Sequence, residues 1–197
     1  PVAFEELLKH RKSRDHCWRC PIACWGTVEM DWQGKKFISH QPEYETGSMF
    51  GSNLLIDDLV TLSKATDICN STGLDTISAG ATVAFAFDCF ENGLLTTEDT
   101  GGLELRWGDT QAAIALLEKL AAREPGIGDL LADGVQRAAQ KIGPAAEPLA
   151  IHCGGQELPA HDARFEPAMA VIYQCDATPG RHTQACQFLV PAGFESG

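Results

Sequence analysis

The sequence has 197 residues, 44% hydrophobic and 21% charged, and its 27 Asp+Glu against 15 Lys+Arg leave a formal net charge of −12. A chain of this size can bury a core and form one or two domains, whereas its acidity excludes the Lys/Arg stripe that nucleic-acid binding needs. No apolar run approaches the roughly 20 residues that cross a bilayer and no export signal is evident, so a cytoplasmic setting without membrane or nucleic-acid partners is expected.

In chain order, Val2 to Lys12 reads as a short amphipathic helix with Phe4, Leu7 and Leu8 at helical spacing. Ser13 to Trp25 holds three cysteines and reads as a loop ending in a tight turn. Thr27 to Ile38 alternates around Gln33-Gly34, the pattern of a hairpin. Pro42 opens a new element carrying Glu43, Tyr44 and Glu45. Asp57 to Asn70 is predicted helical, with Leu59, Leu62, Ile68 and Cys69 inward and Gly73 as its stop. Thr76 to Glu91 is an apolar, alanine-rich helix suited to close packing and burial, ending at Asn92-Gly93. Thr96 to Gly108 is rich in turns.

Asp109 is placed to N-cap a helix running through Arg123, which Pro125-Gly126 breaks. Ile127 to Ile142 is predicted as one more helix, closed by Gly143-Pro144. Ala145 to Pro159 is linker-like, and a last helix is expected between Phe165 and Cys175. The total is about six helices and one small β-hairpin, so the fold class expected is mainly α. The opening at Pro1 and the close at Phe194-Glu195-Ser196-Gly197 are those expected of an excised piece of a longer protein.

Eight cysteines fall at 17, 20, 24, 69, 89, 153, 175 and 186. Of the scattered ones, Cys89, Cys153 and Cys186 read as buried, inert small hydrophobes. Cys17-x-x-Cys20-x-x-x-Cys24 is different, because three thiolates within eight residues can converge on one metal centre. Iron–sulfur clusters commonly take three close cysteines and one distant one. Zinc usually takes paired Cys-x-x-Cys units, and a zinc knuckle completed by His16 or a chance cluster stay as alternatives. Trp18 and Trp25 flank the site, as shields for a cluster or as core. Asn70-Ser71-Thr72-Gly73-Leu74-Asp75 reads by itself as a helix end followed by a new start, with Asp75 capping. The Glu43/Glu45 pair reads as a solvated face, or as a proton-handling carboxylate if it is buried beside a metal. His182 follows Pro179-Gly180-Arg181, a turn that leaves it exposed or lets it point into a site.

Taken together, these segments resemble the tungsten- or molybdenum-pterin aldehyde:ferredoxin oxidoreductase family. The resemblance rests on the cysteine triplet, on Pro42 to Thr46 and on Cys69 to Ser78, which is similar to the first of the family's two pterin-binding D-x-x-G-L-x motifs. Gly102 to Asp109 and Glu157 to Arg164 complete the ordered set. It implies a fold of the multi-helical type of that family. The complete enzyme would have three domains, with this chain covering the second over residues 1–148 and the start of the third over 149–197.

The resemblance also implies site residues. Cys17, Cys20 and Cys24 would hold three irons of a four-iron four-sulfur (4Fe-4S) cluster, with the fourth ligand beyond Gly197 because no Gly-Leu-Cys occurs here. Asn70, Gly73, Leu74 and Asp75 would meet one pterin of a tungsten or molybdenum bis-pterin, Asn70 replacing the motif's first Asp and so bringing no charge. Glu45 would act as proton acceptor or water-orienting base. His182 would hydrogen-bond the substrate carbonyl or relay protons.

The reaction implied is oxidation of a small aldehyde to a carboxylic acid, with electrons leaving through the cluster to a ferredoxin-like acceptor. The remaining domains of the parent chain would be needed, so this piece alone is expected to be inactive. No Glu-x-x-His occurs, so the metal bridge that joins subunits in some relatives is not expected. One branch of the family reduces aromatic-ring thioesters, which is the alternative within the family. A non-enzymatic zinc or iron–sulfur binding module is the alternative outside it.

Overall fold

The computed structural model describes residues 4–164 and 167–183. Helices dominate, with eight α-helices among the described residues beside a three-stranded and a two-stranded sheet. None of these helices is long and apolar enough to cross a membrane. The first helix, α1, is Phe4–Lys9, shorter than the periodicity suggests. The chain then turns into strand β1, Arg11–Asp15, which pairs antiparallel with β2, Trp25–Trp32. Arg-Lys-Ser-Arg-Asp contains no apolar residue, so nothing in its pattern announces a strand. It forms because the free edge of β2 offers backbone partners, as an edge strand can accept.

β3, Lys35–His40, completes the sheet in the order β1-β2-β3, with Trp32 paired to Lys35 across the Gln33-Gly34 turn, as the alternation predicts. Val28 and Met30 point inward from β2 and form a small core with Leu7. That sheet lies against α3, Leu59–Thr72, whose Asp58 accepts a capping hydrogen bond from Thr61 N at 2.8 Å.

The main core sits among α3, α4 (Thr76–Glu91) and α5 (Thr110–Ala121). Phe87, Leu62, Leu116 and Leu117 are fully buried there, each worth about 1.5–3 kcal/mol of transfer free energy. Both predicted caps are made: Asp75 accepts from Ser78 N at 3.0 Å and Asp109 from Ala112 N at 3.0 Å. α3 stops at Gly73, whose φ of 75° is the left-handed conformation that favours glycine. A short helix, α2 (Tyr44–Phe50), crosses α4 closely enough that a Cβ on Gly80 would stand 2.6 Å from Met49 Cβ.

The helix predicted over 127–142 is two helices, α6 (Ile127–Leu131) and α7 (Val135–Ile142). Gly134, at φ 86°, turns the chain between them, and the buried Glu157 carboxylate accepts from Val135 N at 2.8 Å, which caps α7 from a distant segment. The stretch expected to be linker-like instead holds a short antiparallel pair, β4 (His152–Cys153) and β5 (Gln156–Glu157), docked on α4 through Gln156 Nε2 and Ser78 Oγ at 3.1 Å. The last described helix, α8, is Pro167–Cys175; Phe165 lies outside the described residues. Cys89 is buried, as expected. Cys153 is only half-buried, its thiol 3.0 Å from the Tyr173 carbonyl, and Cys186 lies outside the described residues.

Candidate functional site

The cysteine loop begins where β1 ends and closes where β2 begins. Its base is gripped by two side chains. Arg14 donates to the carbonyls of Ala23 at 2.8 Å and Ile22 at 2.9 Å, and the buried Gln41 donates to the carbonyl of Cys24 at 3.0 Å. Gln41 is itself held by the Arg11 guanidinium. Arg19 and Ala23 adopt positive φ, 61° and 49°, so the loop doubles back on itself. Cys17 and Cys24 are exposed and Cys20 is half-buried, all three as free thiols rather than packed core. Trp18 is 84% exposed, so it is not a core residue here, while the Trp25 ring lies 4.6 Å from that of His40 at a tilt of 31°.

The zinc-knuckle alternative fits poorly. A tetrahedral zinc with bonds of about 2.3 Å holds its sulfurs roughly 4 Å apart. Among the described residues Cys17, Cys20, Cys24 and His16 do not form a group with donor atoms within 4.8 Å of one another. His16 Nδ1 faces the Cys17 carbonyl at 2.9 Å instead. Cys69 is buried, its thiol pushed up to about 12 by burial and by nearby Asp75.

A cleft of about 410 Å³ joins the loop to the α3–α4 junction, lined by Cys17, Trp25, Glu43, Thr46, Asn70 and Thr76 among others. It brings together Cys17 and Asn70, which are far apart in sequence. Burial holds the Glu43 carboxyl above its ordinary range, with Arg11 and His40 opposing the shift. Gly73 has no atom within 4 Å of where a Cβ would stand, so its backbone is open to a ligand. Leu74 packs against the core. Asp75 caps α4 with one oxygen and pairs with Arg181 at 3.4 Å through the other, which links the Gly73–Asp75 segment to the neighbour of His182.

Glu45 and His182, remote in sequence, are brought together: Glu45 Oε1 lies 3.5 Å from His182 Nε2. A residue to which the sequence assigned no role joins them. His161 Nε2 is 3.0 Å from the same Oε1, and its ring stacks on that of His182 at 4.6 Å. Ala160 N donates to the other carboxylate oxygen of Glu45 at 2.9 Å. Oε1 of Glu45 and Nδ1 of His182 are buried without a hydrogen-bond partner among the described residues, since neither imidazole is aligned on Oε1 despite its closeness. Such orphaned atoms are costly in a folded chain and mark a place where a further group is received. Burial lowers the His182 pKa; Glu45 opposes this and His161 and Arg181 add to it. His161 also lines a second cleft, of about 840 Å³, between α2, α4 and the Leu158–Arg164 segment.

The sequence profile described as "Aldehyde ferredoxin oxidoreductase, domains 2 & 3" matches residues 2–194. The chain belongs to the aldehyde ferredoxin oxidoreductase family. It is 34% identical over 188 residues to a tungsten-containing aldehyde ferredoxin oxidoreductase of Pyrococcus furiosus, covering 92% of this chain and 30% of that protein. It is 34% identical over 171 residues to the WOR-like subunit of an aliphatic sulfonate oxidoreductase of the same organism, covering 83% of this chain and 27% of that one. Among solved structures, the active-site complex BamBC of benzoyl-coenzyme A reductase, in complex with 1,5-dienoyl-CoA, superposes with a TM-score of 0.64 at 30% identity. The match covers 79% of this chain and 23% of that one. The chain thus spans about 30% of the length of curated relatives it matches.

Proposed function

We propose that this chain is the cluster-binding and catalytic-wall portion of a tungsten- or molybdenum-pterin oxidoreductase that oxidises an aldehyde to a carboxylic acid and delivers the electrons to a ferredoxin-like protein. The observation that carries the reading is the approach of His182, with His161, to the buried Oε1 of Glu45, an atom without a hydrogen-bond partner among the described residues, in a chain whose Gly73 is open. Family membership supports the same class of chemistry. Cys17, Cys20 and Cys24 would hold the 4Fe-4S cluster, and Asn70, Gly73, Leu74 and Asp75 would face the pterin. When bound, the metal–pterin centre supplies two-electron oxidation of the substrate, and the cluster takes the electrons onward one at a time.

The residues of this chain have four tasks. Glu45 accepts a proton from the water that adds to the carbonyl, a role for a carboxylate with one oxygen held by a backbone donor and the other beside two imidazoles. His182 donates a hydrogen bond to the substrate oxygen from a site dry enough to keep its ring largely neutral near pH 7. Gly73 gives the pterin close access to the backbone. The cleft between Cys17 and Asn70 brings the cluster side and the pterin side to one short path.

The test uses the complete parent enzyme, purified without oxygen, and reads dye reduction with a series of aldehydes and, separately, oxidation of a low-potential donor by an aromatic acyl-CoA thioester. Aldehyde-dependent dye reduction that is lost in Glu45→Gln is the expected result. Activity with the thioester alone would move the protein to the ring-reducing branch, and activity with neither would overturn the reading.

A further inference from the structure

His161 stands between Glu45 and the 840 Å³ cleft. Of the three clustered side chains it is the one that lines that cleft, and its 22% exposure exceeds the 12% of Glu45 and 15% of His182. Its backbone is fixed on both sides. Ala160 N holds Glu45 Oε2 at 2.9 Å, and the buried Tyr173 of α8 donates its hydroxyl to the His161 carbonyl at 2.8 Å. The Tyr44 ring flanks the imidazole at 5.7 Å. Glu45, His182 and Tyr44 are among the groups that face His161, and Arg181 acts electrostatically on His182.

The donor atoms of Glu45, His161 and His182 lie within 4.8 Å of one another, close enough to share one small cation or one proton. The rings decide between these. They stack at 4.6 Å with only 22° between their planes, and in-plane lone pairs on nearly parallel, stacked rings do not meet at a common point. A metal ion needs its imidazoles to converge on it. A proton passed between one carboxylate oxygen and a nitrogen needs only that single 3.0 Å approach.

We propose that His161 is a positioning residue of this site, holding the Glu45 carboxylate from the cleft side and carrying its proton to the cleft. This rests on the oxidoreductase reading above only for the source of the proton. The step conserves charge and electrons: protonated Glu45 gives the proton on Oε1 to Nε2 of His161, and the imidazolium loses one proton to solvent in the cleft. Glu45 returns to a carboxylate and His161 to a neutral ring, with no change of oxidation state.

The experiment uses the complete parent enzyme with its cofactors and two variants. His161→Ala opens space for added imidazole, and His161→Phe keeps a ring stacked on His182. Both are expected to retain metal content and KM and to lose about tenfold or more in kcat. Imidazole in the buffer is expected to restore kcat in His161→Ala and not in His161→Phe.

A second readout does not depend on turnover. In 13C-histidine NMR titration, His161→Phe is expected to shift the His182 midpoint upward, because the facing imidazolium is gone. An unchanged kcat in both variants, or loss of kcat with no imidazole rescue and an unmoved His182 midpoint, would overturn the proposal. If the wild-type parent oxidises no aldehyde, the oxidoreductase reading fails, and the NMR titration still decides whether the two histidines and Glu45 act as one proton site.

Discussion

Gly80 lies within α4 at its crossing with α2, the helix that carries Glu45. In an exposed helix interior, Gly→Ala stabilises by roughly 0.5–1 kcal/mol. Here the added Cβ would meet Met49 Cβ at 2.6 Å and the Met49 carbonyl carbon at 3.1 Å. Carbon atoms pack at about 3.5–4.0 Å, so α2 would have to retreat by roughly 1 Å. Overpacking of that kind costs about 1–3 kcal/mol.

The expected net effect of Gly80→Ala is therefore a loss of roughly 1–2 kcal/mol, read as a fall of several degrees in thermal unfolding of the purified protein. Because the clash is with Cβ and main chain, shortening the neighbour with Met49→Ala is expected not to rescue it. The retreat of α2 also draws Glu45 Oε1 away from the two imidazoles, so activity of the parent should fall with stability. A Gly80→Ala protein more stable than wild type by the full helix-propensity gain would refute the close α2–α4 approach and the position of Glu45 that depends on it.

Other outcomes follow from the same geometry. Brief alkylation of the native, cluster-free protein is expected to label Cys17, Cys24 and Cys175 and to spare Cys69 and Cys89, whose thiols are pushed up to about 12 and about 11 by burial; peptide mass mapping reads this directly. Asp75→Ala should cost about 1 kcal/mol by urea unfolding through loss of the α4 cap, with little added from the part-exposed Arg181 pair. Asp75→Asn keeps an acceptor and should cost less; an equal loss would place the effect elsewhere than in the cap. His182 has its folded pKa below the ordinary histidine value, so between those two values the unfolded chain binds more protons. The stability it contributes is full above the ordinary value and is lost as pH falls through that window. His182→Gln should flatten this part of the stability–pH curve, and an unchanged slope would contradict the buried placement of His182.

The helical frame was legible because its signals are local. Thr76–Glu91 is announced at both ends, by Asp75 and Asn92-Gly93, and its apolar run leaves no competing period. Asp109 and Gly73 act in the same way. The break before Val135 was not legible, because its cap comes from Glu157, 22 positions away in sequence. β1 was hidden because its five residues are polar and its partner strand lies beyond the cysteine loop.

In the site, the triplet stood out by spacing, whereas Gln41 and Arg14, which fix the loop's base, carry no pattern that marks them. Glu45 and His182 were named through resemblance, and the fold brings them within 3.5 Å. His161 had one signal, its place in the Glu157–Arg164 segment, but its stacking on His182 is a long-range fact that no local pattern contains.

The central claim is that Cys17, Cys20 and Cys24 hold an iron–sulfur cluster beside a metal–pterin centre. Elemental analysis of the complete parent protein, purified without oxygen, tests it most directly, with Cys20→Ser as the paired variant. About four iron atoms and about one tungsten or molybdenum per chain are expected, with iron lost in the variant. Zinc alone, or iron that survives Cys20→Ser unchanged, would contradict it.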